Sequence, residues 1–148
     1  MKRLAISLSV LFVSAAAVTA ADDPIAVRKA LMQANAASAG TSGAMMKGEM
    51  DYNPAVAKAA IANFYATSQA LGDFFPEGSH EGDTTAAPSI WEDSEEFQQA
   101  LEKFRTDAAA AMEASGRNGP ADLAAFQQAV APVLSNCSSC HENFRVQN

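Results

Sequence analysis

The chain has 148 residues, ten lysines and arginines against seventeen aspartates and glutamates, and a formal net charge of −7. That length suits one domain with a core of its own. The acidic balance argues against nucleic acid as a partner, because phosphates are held by basic contacts.

The first residues read as an export signal. Met1-Lys2-Arg3 carries two positive charges, Leu4 to Val18 is almost wholly apolar or small, and Val18-Thr19-Ala20 offers small residues where a signal peptidase reads. The apolar stretch falls short of the ~20 residues of a spanning helix. Cleavage after Ala20 therefore separates a signal, 1–20, from a domain, 21–148. Taking 20 residues from 148 leaves 128, and losing Lys2 and Arg3 takes the charge from −7 to −9. No later stretch is long and apolar enough to span a membrane, so the remainder is expected not to be membrane-embedded.

Strong helix formers dominate the rest, and no alternating strand pattern of useful length appears. A first helix is predicted from about Pro24 towards Met46, with Ile25, Val27, Leu31 and Met32 among its apolar positions; Gly40 and Gly43 weaken its later part. A second follows the capping pair Asn53-Pro54, runs through Val56, Ile61, Phe64, Tyr65 and Leu71, and stops at Gly72. Asp73 to about Pro88 has the composition of a loop. A third helix is expected from Ser89, where Ser89-Ile-Trp-Glu92 fits a capping box, with a stripe of Phe97, Leu101, Phe104 and Ala108 ending at Gly116 to Gly119. The fourth begins around Pro120 and carries Leu123, Phe126, Val130, Val133 and Leu134 at helical spacing. Pro132 inside it costs about 3 kcal/mol that packing must offset. Four helices joined by two short connections and one long one predict an all-α, antiparallel up-down-up-down four-helix bundle. Phe64, Trp91, Phe97, Phe104, Phe126 and Phe144 are its expected core aromatics.

Near the end of the fourth helix stands Cys137-Ser-Ser-Cys140-His141. One disulfide is the ordinary expectation for two cysteines in an exported protein. A pair three positions apart closes almost no loop, however, and would stabilise little. Chemistry explains the pair better. The spacing fits covalent haem attachment: two thiols add to the haem vinyl groups and the adjacent histidine ligates iron. A thioredoxin-like dithiol is a second reading, but that motif sits where a strand feeds a helix. Zinc is a third, although Cys137, Cys140 and His141 need a fourth ligand, and His80, the other histidine, lies in a loop without ligand spacing. Export supports haem, since bacteria attach it on the far side of the membrane. One covalent haem c is the expected cofactor, with Cys137 and Cys140 binding it and His141 as the proximal iron ligand.

A Cys-x-x-Cys-His on the last of four helices resembles class II cytochromes c, the cytochrome c prime family. The similarity covers nearly the whole exported chain. It includes Lys47-Gly48 followed by Tyr52, Ile90-Trp91 opening the third helix, and Cys137 through Arg145 at the end. The resemblance implies the same bundle, with haem in its core.

It also implies a distal residue on the first helix, four positions after an arginine. Here Arg28 is followed by Met32, on the same helix face. Members with methionine there resemble low-spin electron carriers. A neutral thioether favours ferrous iron and raises the potential. The reading is thus a periplasmic single-electron carrier with His141 and Met32 as axial ligands. The alternative is a five-coordinate cytochrome c prime that binds nitric oxide or carbon monoxide, with Met32 as core filler. Met45, Met46, Met50 and Met112 are weaker ligand candidates. By the same resemblance Arg28 pairs with a haem propionate, although Lys29 stands where the family often has glutamine. Arg145, four residues after His141, either supports the haem's proximal side from the same helix face or favours the helix C-terminus as a cation. Redox proteins with basic patches are the expected partners, and the family's pairing through its first two helices extends the expectation to a homodimer. No acid–base pair or nucleophile arrangement suggests an enzyme.

Overall fold

Short polar side chains open the helices by accepting the orphan N–H groups of a first turn. Asp23 accepts from the Ala26 amide at 2.9 Å, Asn53 from Ala55 at 2.9 Å and Val56 at 3.2 Å, and Asp122 from Ala125 at 2.8 Å. Pro24 and Pro54 follow two of these caps, where a missing N–H costs nothing. The computed structural model describes residues 23–146, so the expected signal at 1–20 lies outside the described residues. Five helices follow in chain order: α1 (Pro24–Lys47), α2 (Pro54–Ala70), α3 (Ser89–Glu92), α4 (Ser94–Ser115) and α5 (Leu123–Phe144). A 3-10 turn over Leu71–Phe74 continues α2.

The four long helices form the predicted antiparallel bundle, α2 lying against α1 and α4, and α4 against α5. No strand occurs among the described residues; one isolated antiparallel bridge joins Ala86 to Arg145. Gly40 and Gly43 do not stop α1, which runs on to Lys47 and ends at Gly48 with φ of 75°. Pro132 does not stop α5 either, and Gln128, whose carbonyl it leaves without a partner, is exposed.

Two expectations are corrected. The third helix is broken at Asp93, and Ser89 does not cap it: its hydroxyl donates instead to the Asn143 carbonyl at 2.7 Å. The break turns Trp91 towards the preceding loop, where Nε1 donates to the Phe75 and Pro76 carbonyls, both at 3.2 Å. The fourth helix begins at Leu123 rather than near Pro120, because Asp122 supplies the cap.

The core has two parts. One gathers Met45, Ile61, Phe64, Phe126, Val130 and Val133, with alanines of α2 and α4 allowing close approach. Each large side chain buried there contributes about 1.5–3 kcal/mol. The second, towards the end of α5, holds Leu71, Ile90, Phe97, Leu101 and Phe144, with Leu31, Met32, Phe75, Trp91 and Cys140 packed against it. Of the cysteine motif, Cys140 belongs to this second part.

Candidate haem site

Helical spacing places Cys137, Cys140 and His141 on successive turns of α5 beside two adjoining cavities of about 390 and 440 Å³. Volumes in the range of ~300–1,000 Å³ suit small ligands. Met32, Leu71, Cys140, His141 and Phe144 line both. Arg28, Phe75, Ile90, Phe97 and Arg145 line only the first; Cys137, Leu101, Phe104, Lys103 and Asn136 line only the second.

Both cysteines are free thiols, half-buried, and burial pushes their pKa values up, Cys137 raising that of Cys140 further. His141 is exposed overall. Desolvation of its ring, then the nearby Arg145 charge, lowers its pKa, which favours the neutral imidazole, the form that ligates metals.

His80 lines neither cavity and packs at a tilt of 60° against Trp91, ring centroids 5.4 Å apart. The zinc reading therefore finds no fourth ligand there, and among the described residues no group of three or more metal-ligating side chains occurs.

Arg28 is 5% exposed, and it forms no ion pair with a carboxylate of the described residues. A buried cation beside an apolar cavity suits a ligand that brings carboxylates with it, as haem does. Its terminal nitrogens, however, already donate to the loop that follows the 3-10 turn, so any propionate meets a guanidinium shared with protein acceptors.

Arg145 departs further from expectation. It is not on the His141 face of α5 but past the helix end, in extended backbone with φ −128° and ψ 129°. Bridging to Ala86 pulls the chain out of the helix, and Nε donates to Thr85 Oγ1 at 3.4 Å. It still lines the first cavity.

The methionines separate cleanly. Met45 is buried in the other core, with Met46 and Met112 packed against it, and Met50 is exposed; none of the four lines either of these two cavities. Met32 lines both. Of the expected aromatics, Phe97, Phe104 and Phe144 face the cavities, whereas Phe64 and Phe126 belong to the other core. Phe75 was not legible as a wall residue, because its loop has no periodicity. It packs edge-on against Phe97 with centroids 4.7 Å apart.

A polar group beside Cys137 was missed too. Asn136 is 6% exposed and donates to Asp107 Oδ2 at 2.8 Å; Lys103 Nζ meets the same oxygen at 2.6 Å. Burial alone would raise the Asp107 pKa, but the bonds from Lys103 and Asn136 outweigh it and the net shift is downward. A carboxylate so lowered stabilises the fold fully above its ordinary value of ~3.9 and ceases to as pH falls through the lower native value. Asp107→Asn is accordingly expected to lose about 1 kcal/mol at neutral pH. The gap to the parent should close on acidification below about pH 4. Denaturant unfolding at several pH values measures it, and a gap that widens in acid would contradict the assignment.

An all-helical bundle with a thiol pair and an adjacent neutral imidazole against an apolar cavity defines a c-type haem protein. The Cytochrome C' family profile matches residues 23–145. A cytochrome c-556 of Agrobacterium fabrum is 34% identical over 149 residues, covering 99% of this chain and 98% of that one. A cytochrome c' of Rhodopseudomonas palustris is 37% identical over 126 residues, 84% of this chain and 83% of that one. The solved cytochrome c' from Rhodopseudomonas palustris superposes with a TM-score of 0.75 at 35% identity, covering 85% of this chain and 98% of that chain. The chain belongs to the cytochrome c' family, a four-helix-bundle family carrying one covalently attached haem c.

Proposed function

We propose that this chain is a periplasmic single-electron carrier in which His141 and Met32 are the two axial ligands. One observation carries the reading: Met32 is the residue of α1 that borders both cavities, and it does so together with His141. Cys137 and Cys140 hold the cofactor through thioethers, so a modest apolar pocket suffices. Bound haem supplies a one-electron iron couple. Leu71, Phe97 and Phe144 exclude water from it, which with a neutral thioether opposite the imidazole favours the reduced state. Arg28 and Arg145 border the first cavity as cations whose charge favours the two carboxylates of haem there, although the terminal nitrogens of Arg28 also serve protein acceptors.

Export through residues 1–20 accords with the periplasmic location of the family, and among the described residues no helix is long and apolar enough to cross a membrane. With a charge of −9 after export, partners bearing basic patches are favoured by charge complementarity. Pairing of two copies through α1 and α2 follows the habit of the family. Catalysis forms no part of this reading, as family members are generally haem proteins without enzymatic activity.

The family itself favours a second reading, since cytochromes c' are typically high-spin with histidine as the protein ligand. Met32 then fills the distal side, and the pocket takes nitric oxide or carbon monoxide.

The ferric absorption spectrum decides between them. Methionine ligation predicts a low-spin spectrum with the weak red charge-transfer band of thioether–iron bonding. Met32→Ala should abolish that band and raise carbon monoxide affinity of the reduced protein at least about tenfold, because the intact site must first release its own ligand. A high-spin parent spectrum with unhindered carbon monoxide binding would establish the gas-binding reading instead.

A further inference from the structure

Arg28 reaches inward from the first turns of α1. Nη1 donates to the Phe74 carbonyl at 2.7 Å and to Ser79 Oγ at 2.8 Å; Nη2 donates to the Ser79 carbonyl at 2.7 Å and to Thr84 Oγ1 at 3.2 Å. All four terminal N–H groups thus end on one segment, 74–84. The guanidinium carbon also lies 4.7 Å from the Phe75 ring centroid and 6.0 Å from that of Trp91. Such contacts are what a desolvated guanidinium needs to remain charged.

The same segment is tied down a second time, further along. The Ala87 amide donates to the Phe144 carbonyl at 3.0 Å, and the Val146 amide to the Thr85 carbonyl at 2.9 Å. These bonds hold the very end of α5, three and five residues after His141. Between the two fixings, Thr84, Thr85 and Ala86 form part of the first cavity's wall. Residues 75–88 contain no helix, and Gly78 and Gly82 take φ of 80° and 101°, so the segment has little rigidity of its own.

We infer that Arg28 is a positioning residue that latches this strap across one lobe of the haem pocket and, through the strap's pairing with residues 144–146, fixes the end of the helix that carries His141. The inference rests on the chain binding haem next to α5, not on ligation by Met32. Lysine cannot replace it, because a compact ammonium lacks the planar fork that meets four acceptors and stacks on Phe75.

Amide hydrogen exchange on the haem-loaded protein tests the latch at Ala87 and Val146, neither of which is a hydrogen-bond partner of Arg28. Arg28→Lys is expected to cut their protection at least about tenfold, what one lost hydrogen bond to a charged group amounts to. Amides in α2 and α4 should keep theirs. Ser79→Ala leaves the cation intact and removes one acceptor, and it should cut protection at the same two sites a few-fold. Both variants should lower the reduction potential, as water reaches the haem edge. The latch is overturned if Ser79→Ala leaves both amides and the potential unchanged while Arg28→Lys shifts the potential, since Arg28 would then act on the cofactor's carboxylates alone. It is equally overturned if core amides lose protection in parallel, which would mark a general loss of stability, or if neither variant changes anything.

Discussion

Replacing Cys137 and Cys140 together by alanine is expected to abolish covalent haem attachment completely. The two thiols sit half-buried against the cavities and the structure leaves both free of any disulfide. Each supplies one thioether, so either single replacement should leave the haem attached through the other sulfur, at lower yield. With both gone, His141 and the apolar walls of Leu71, Phe97 and Phe144 still offer a site, but haem there becomes exchangeable. Haem staining after denaturing electrophoresis reads the difference directly: a band for the parent and each single variant, none for the double. Thermal stability should fall in step, because a group bound only by the folded state stabilises it by mass action. Undiminished staining of the double variant would mean that the motif is not the attachment site.

The second large effect lies at the opposite end of the bundle. Gly119 has φ of 89°, and a Cβ placed there would stand 2.2 Å from the Pro54 carbonyl oxygen and 2.9 Å from its carbon. The obstacle is backbone, so no rotamer change relieves it. Around this contact the α4–α5 connection is clasped to the start of α2: the Tyr52 hydroxyl donates to the Pro120 carbonyl, and Lys58 Nζ donates to the carbonyls of Arg117 and, at 2.9 Å, of Gly116. Gly119→Ala is expected to cost about 3 kcal/mol or more, combining left-handed strain with the clash. For a domain of this size that lowers Tm by about 10 °C. Gly116 is the internal control. It also has positive φ, 58°, but a Cβ there meets nothing within 4 Å, so Gly116→Ala should show the strain alone, about 1–2 kcal/mol. Calorimetry of the two variants separates the terms, and equal losses would show that the Pro54 contact is unimportant. Neither variant should alter the haem spectrum, as this contact is remote from α5's end.

Much of the molecule was legible in the chain because the responsible interactions are local. Helix caps act over two or three residues, and Asn53 and the apolar spacing of α1, α2 and α5 announced those helices. The chemistry of Cys137, Cys140 and His141 fits within five consecutive positions, so no fold was needed to suspect haem. Met32 and Arg28 were found by their spacing on one face together with a resemblance.

What only the tertiary structure decided depends on residues far apart in sequence. Local pattern made Ser89 a cap, yet its hydroxyl serves Asn143, 54 positions away. Helical spacing put Arg145 on the face of His141, yet pairing with Ala86 draws it out of α5. The partners of Arg28 stand 46 to 56 residues along, in a loop whose composition carries no periodicity to betray a wall of the haem pocket. The cysteine motif, read with the export signal and its place on the last helix, pointed to a haem protein, because thiol and imidazole chemistry is local. Which methionine lines the cavities beside that histidine, and where the side chains of Arg28 and Arg145 end, was decided by packing, because those neighbours exist only once the chain has folded.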